Sequence, residues 1–203
     1  MGRYTGPKIK LSRKFGEALS PKAEKYLAKR NYRPGMHGQN PQRVSEYGMQ
    51  LREKQKAKII YGLMERQFRK YYEQASKKVG ITGDALLQML ELRLDNVVYR
   101  LGFGNSRPQA RQLVSHGFFE VNGKKVNIPS YQVKVGDEIK VRESKKNSQY
   151  MKNLAPALAN VKNTPEWLSL SAGDFSGKVL SKPSRQQIEN TINTQLIVEY
   201  YSR

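Results

Sequence analysis

At Gly117 the hydrophobic period of the chain changes, and that change constrains the fold more than any other feature. Before it, Val97, Val98 and Leu101 recur at helical spacing behind Asp95, a candidate cap. Ser106 is the candidate cap of a second helix, with Pro108 in the first turn, where no amide hydrogen is missed. Ala110, Leu113 and Val114 form its apolar face. After Gly117 the pattern alternates. Phe119 and Val121 lead into Asn122-Gly123, a strong hairpin signal because both residues tolerate positive φ. Tyr131, Val133 and Val135 then share one side of a strand, Gly136-Asp137 turns the chain, and Ile139 and Val141 return. Arg93 to Glu143 is therefore read as a module of two helices and a small bent antiparallel sheet.

The polar residues of this stretch collect at helix starts and at the hairpin tip. They are Arg93, Ser106, Arg107, Gln109, Arg111, Gln112, His116, Asn122, Lys124 and Lys125. A helix N-terminus flanked by arginines is a natural seat for phosphate. The plain alternative is an ordinary solvated basic surface. His116 closes a helix, where a cation is favoured.

Charge narrows the partner. The 203 residues carry 37 Lys and Arg against 17 Asp and Glu, a formal +20, which points to a polyanion. Up to Lys70 there are 18 basic and 5 acidic residues, so the positive charge is weighted to the N-terminal third. No apolar run approaches the ~18 residues of a membrane span, and no apolar core follows the basic N-terminus. There is no cysteine, hence no disulfide and no thiolate metal site.

Residues 1–44 show little periodicity and much charge, with Arg3, Lys8, Lys10 and Arg13 among early glycines and Pro7. Such a segment is expected to be ordered by an acidic partner. Tyr32-Arg33-Pro34-Gly35-Met36-His37-Gly38 is a loop by composition, followed by Arg43. Its two glycines allow close backbone approach to a ligand; a plain turn with a surface histidine is the alternative. Ser45 to Gln74 reads as one long amphipathic helix, with Ile60, Leu63, Met64, Phe68 and Tyr71 as its stripe. Arg52, Lys54, Lys56 and Lys58 with only Glu53 among them cannot be neutralised within the helix, and Arg66 and Arg69 project further on. Thr82-Gly83-Asp84 opens another helix. Ser184 to Gln187 has capping-box spacing, and Ile188, Ile192 and Leu196 form a last helical stripe. Trp167 reads as a packing anchor.

Arg93 to Val126 resembles the small RNA-binding module called the S-four domain. Arg3-Tyr4-Thr5-Gly6-Pro7-Lys8, Leu11-Ser12-Arg13, Leu51-Arg-Glu-Lys-Gln-Lys-Ala-Lys and the ending Leu196-Ile-Val-Glu-Tyr-Tyr-Ser-Arg extend the likeness over the whole chain. The chain is thereby identified as a member of the small-subunit ribosomal protein S-four family, of the bacterial or organellar type. The resemblance implies an α+β, mainly helical fold: a helical domain plus the S-four module. The expected divisions are a basic RNA-binding extension (1–44), a helical domain (45–91) on which 184–203 packs back, the module (92–155) and a connecting segment (156–183). It implies direct, early binding of small-subunit ribosomal RNA at a multi-helix junction by the residues named above, with Gly35, His37 and Gly38 lying against RNA. It further implies a neighbouring small-subunit protein of the S-five family, a role near the messenger path and in translational accuracy, and a place on a cytoplasmic or organellar ribosome. Many family members hold zinc with four cysteines near the N-terminus. Ile9 and Ser12 stand where the first pair would be, so a zinc-free form without cofactor is expected.

Nothing marks an enzyme. His37 and His116 are the only histidines, and no Gly-x-Ser-x-Gly elbow or phosphate-loop signature occurs. The alternatives carried forward are a fragment of an RNA-modifying enzyme, or an RNA chaperone, bearing the same module.

Overall fold

The computed structural model describes residues 2, 4–40, 43–159, 164–188 and 191–203. They form two compact units, one of Met1–Tyr72 with Thr191–Arg203 and one of Glu73–Asn190.

The first unit is helical. Residues 1–44, read as irregular, contain α1 (Lys8–Phe15) and α2 (Pro21–Lys29). Helix α1 stops at Gly16, whose φ of +73° suits glycine. Phe15 and Ala23 are buried, and the buried Ser12 hydroxyl accepts the Leu19 amide at 3.2 Å. The long helix expected over Ser45–Gln74 is two helices, α3 (Glu46–Ile60) and α4 (Glu65–Ser76). Gly62, at φ +65°, breaks the run; its amide bonds the Ile59 carbonyl and the Leu63 amide the Lys58 carbonyl. The interruption re-aims the stripe, so Tyr61, Leu63, Phe68 and Tyr71 are buried while Met64 is exposed.

The last helix of the chain, α10 (Thr194–Tyr201), lies along α3. Gln50 donates to Glu199 at 3.1 Å, and the Asn193 amide donates to Glu53 at 3.1 Å. Ile197 is buried, and the Tyr201 ring stacks on Tyr72 with centroids 4.5 Å apart. The expected continuous Ile188–Ile192–Leu196 stripe does not form. Ile188 is extended after a 3-10 turn at Arg185–Gln187, and regular helix begins only at Thr194.

The second unit opens with α5 (Thr82–Glu91), α6 (Leu94–Arg100) and α7 (Arg107–Ser115). Strands β1 (Phe119–Val121), β2 (Lys124–Lys125) and β3 (Glu138–Val141) follow, then α8 (Glu143–Lys146) and α9 (Gln149–Ala159), and finally β4 (Leu168–Ser171) and β5 (Ser176–Val179). Among the described residues the sheet has order β2-β1-β3-β5-β4, antiparallel throughout.

Two expectations are corrected here. The strand read at Tyr131–Val135 shrinks to one bridge, Gln132 opposite Arg93. This stretch instead anchors α6: the Leu94 amide donates to the Tyr131 carbonyl and the Val133 amide to the Leu92 carbonyl. The connecting segment 156–183 supplies the β4–β5 hairpin, so the sheet continues well past residue 155. Gly177 of β5 lets the hairpin settle on α6 and its end: a Cβ there would fall 2.6 Å from a methyl of Leu101. Phe103 and Phe119 meet edge to face at 5.4 Å, and Trp167 is wholly buried in the same core.

Candidate nucleic-acid interface

In the second unit the arginines divide into those that build the module and those that face outward. Asp95 does not cap α6, whose N-cap is Arg93; it sits in the first turn. Its carboxylate takes two bonds from Arg93, Nε to Oδ1 at 3.0 Å and Nη2 to Oδ2 at 2.7 Å, and a guanidinium nitrogen of Arg111 lies 3.6 Å from Oδ2. Arg93 is 0% exposed and Arg111 7%. Neither has surface to offer a phosphate, which corrects their assignment to RNA. A buried guanidinium needs a carboxylate, and Asp95 serves both.

Arg107, in the first turn of α7, is half-buried; its Nε donates to the Asn96 oxygen at 2.9 Å and its guanidinium lies over the Tyr99 ring at 4.7 Å. Ser106 is the N-cap by position, but its hydroxyl makes no capping bond. The Gln109 side chain accepts the Asn105 amide at 2.9 Å. Gln112 and His116 are exposed on α7 and at its C-cap.

At the hairpin tip Asn122 adopts φ +49°, with Gly123 at +74°. Its amide ties two turns together, donating to Asp137 at 2.8 Å and accepting from the Glu138 amide at 2.9 Å. Lys124 and Lys125 form the exposed edge strand β2, an arrangement that also discourages edge-to-edge pairing.

The first unit shows the same division. Of the four cations on α3, Lys54 and Lys56 are 4% exposed. Lys54 pairs with Glu65 at 2.8 Å; Lys56 pairs with Glu17 at 2.6 Å and also bonds the Thr191 carbonyl. Lys58 reaches Glu65 at 3.1 Å, and Arg52 donates to the Phe15 carbonyl. Within α3, Glu53 lies 3.6 Å from Lys56, and further pairing comes from elsewhere in the unit. The buried Lys54 and Lys56 therefore serve the fold, which corrects their reading as RNA-facing, while Arg52 and Lys58 are half-buried. Arg13 is half-buried and clamps the Tyr32-to-Gly38 loop, donating to the Tyr32 carbonyl at 3.1 Å and to the Arg33 carbonyl at 3.3 Å. Gly38 folds so closely onto the Arg33 carbonyl that a Cβ would meet its oxygen at 1.8 Å. That loop is half-buried at Arg33 and exposed at Gly35 and His37. Lys8, Lys10, Arg43, Arg66 and Arg69 are exposed, and Arg3 lies outside the described residues.

One cationic feature escaped the sequence reading. Helix α2 exposes Lys22, Lys25 and Lys29 while Ala23 is buried. The signal was present in Ser20-Pro21, a helix start, and in lysines at steps of three and four.

Glu65 is the acid on which Lys54 and Lys58 converge. Burial alone would raise its pKa, but hydrogen bonds from Lys54, Lys58 and Tyr201 outweigh it and hold the carboxyl below the usual glutamate range. Burial and the bond to Glu65 push the Tyr201 hydroxyl upward. A depressed carboxyl contributes stability above its unfolded pKa of about 4.3, and that contribution is lost as pH falls through the folded value. The expected result is that the first unit weakens below about pH 4. Glu65→Gln should be less stable at neutral pH and less acid-sensitive, read by urea unfolding between pH 3 and 7. An unchanged pH profile in the variant would contradict the assignment.

Among the described residues no three His, Cys, Asp or Glu side chains group as a metal site, and no helix is long and apolar enough to cross a membrane. The residues at the family's zinc position do not fit a metal: Ser12 is buried and engaged with the Leu19 amide, and the chain has no cysteine. Metal analysis should find no stoichiometric zinc, and a chelator should leave the thermal midpoint unchanged. Zinc at one per chain, or a midpoint lowered by chelation, would contradict this.

Comparison with known proteins agrees with this arrangement. Residues 3–91 match the family model for the ribosomal protein S4/S9 N-terminal domain, and residues 92–139 match the S4 domain. Fold and surface thus define a protein of the S4-domain class with a ribosomal-type N-terminal region. The chain is 54% identical to the small ribosomal subunit protein uS4 of Chloroflexus aurantiacus over 206 residues, covering 100% of both chains. It is 54% identical to that of a Thermoanaerobacter species over 209 residues and 53% identical to that of Roseiflexus castenholzii over 206, again across 100% of both. The chain belongs to the uS4 family of small ribosomal subunit proteins.

Proposed function

We propose that this protein is a structural constituent of the small ribosomal subunit that binds the subunit's ribosomal RNA and carries out no chemistry. The observation that carries the reading is full-length similarity to uS4 proteins of bacteria. The geometry supports it: cations such as Lys10, Arg43, Arg66 and Lys124 are exposed, while Lys54, Lys56 and Arg93 are buried and paired with acids inside their own units. Lysines and arginines neutralise phosphates, backbone groups of the Gly35–Gly38 loop approach the RNA closely, and shape rather than base edges is read. An RNA-modifying enzyme or a chaperone sharing only the module is not favoured, because residues 3–91 match a ribosomal N-terminal domain.

The finer reading follows from the family resemblance. The protein binds early in assembly at a multi-helix junction, lies beside a protein of the S-five family, and contributes to the messenger path and to accuracy. It works on the ribosome in the cytoplasm, or on that of an organelle. Binding of the purified chain to small-subunit ribosomal RNA tests the central statement. Affinity should fall steeply as salt rises, since each neutralised phosphate releases counterions. No binding at moderate salt would overturn it.

A further inference from the structure

We propose that Asn96 is a positioning residue for RNA recognition, fixed by Glu91 and in turn fixing the Arg107 guanidinium before RNA arrives. The inference rests on reading the α7 surface as RNA-facing and adds what presets its arginine.

The chain of bonds starts in the interior. Glu91, the last residue of α5, is 1% exposed and takes two bonds from Arg100, at 3.0 and 2.9 Å. Asn96, 3% exposed, donates its side-chain nitrogen to the Glu91 carbonyl at 3.0 Å and to the Glu91 carboxylate at 2.7 Å. Both of those partners are acceptors, so the amide has one sensible orientation, nitrogen toward Glu91. Its oxygen is thereby turned to Arg107 Nε, 2.9 Å away. Tyr99, on the same helix as Asn96, lies against the guanidinium face.

Arg107 is thus held along one edge and one face while remaining half-exposed. An arginine free to sample its rotamers loses that freedom when it grips a phosphate; one already held loses little. The buried acid and amide act on RNA through the arginine without touching it.

A double-mutant cycle in the full-length chain tests this. Affinity for small-subunit ribosomal RNA is measured across a salt series for the wild type, Asn96→Ala, Arg107→Ala and the double variant, with urea unfolding of each. Arg107→Ala should weaken binding about tenfold and reduce the salt slope by about 0.7–0.9. Asn96→Ala should weaken it about threefold to tenfold with the slope nearly unchanged, because the cation is still present. In the Arg107→Ala background the Asn96 substitution should change affinity by less than about twofold. Should Asn96→Ala fail to fold, Asn96→Ser takes its place, and NMR of the Arg107 Nε–H group in the free protein should show it losing its protection from exchange. Equal losses in both backgrounds, or an unchanged affinity in folded Asn96→Ala, would overturn the proposal while leaving the RNA-binding reading intact. A wild type that ignores the RNA would overturn both.

Discussion

Asp95→Ala should lower the stability of the Glu73–Asn190 unit by about 3–5 kcal/mol. The carboxylate faces two guanidinium groups, Arg93 with no exposed surface and Arg111 with almost none. Removing it leaves two positive charges in the interior, and the desolvation they have already undergone is no longer offset by attraction. Arg111→Ala should act the same way with a smaller loss, since Asp95 keeps Arg93. Urea unfolding at neutral pH reads both. Any fall in RNA affinity of Arg111→Ala should track the unfolded fraction, whereas Arg107→Ala should lose affinity while staying folded. A loss below about 1 kcal/mol for Asp95→Ala would mean that water reaches these arginines.

A fragment of residues 92–155 should not fold cooperatively, whereas residues 73–190 should. The shorter piece lacks β4 and β5, which leaves β3 with an unpaired edge. It also lacks Trp167, Leu168 and Val179, all buried in the same core as Phe119 and Ile139. Losing a buried tryptophan alone costs about 3–5 kcal/mol, against a total stability of about 5–15 kcal/mol for a whole domain. Circular dichroism and the sharpness of thermal unfolding distinguish the outcomes. A steep two-state transition in 92–155 would show that the hairpin is dispensable.

How much of this could be read from the residues follows from which interactions are local. The period change at Gly117 and the Asn122-Gly123 turn specify β1 and β2 through nearest neighbours, and both form. The β4–β5 hairpin is set by pairing to β3, whose partner residues lie nearly forty positions away, and its short strands carry Gly177 where a strand signal would need a side chain. The helix break at Gly62 was readable in principle, but the apolar stripe on both sides matched one period and hid it. The cations show the limit most clearly. Lys54, Lys56, Arg93 and Arg111 look like Lys10 or Lys124 in the sequence, because charge is local while its neutralising partner is not: Glu17 pairs with Lys56 across 39 positions. Asp95 beside Arg93 was within reach, since a short-range acid–base pair ahead of an apolar stripe can be a buried bridge as readily as a cap.

The central claim is that exposed cations bind RNA while buried ones hold the fold. The most direct measurement is the slope of log affinity for small-subunit ribosomal RNA against log salt, for the wild type, for Lys124→Ala with Lys125→Ala, and for Lys54→Gln. Each exposed lysine that contacts a phosphate should take about 0.7–0.9 from the slope when removed, while Lys54→Gln should leave the slope unchanged and lower only stability. A slope that falls with Lys54 and ignores the β2 lysines would contradict the account.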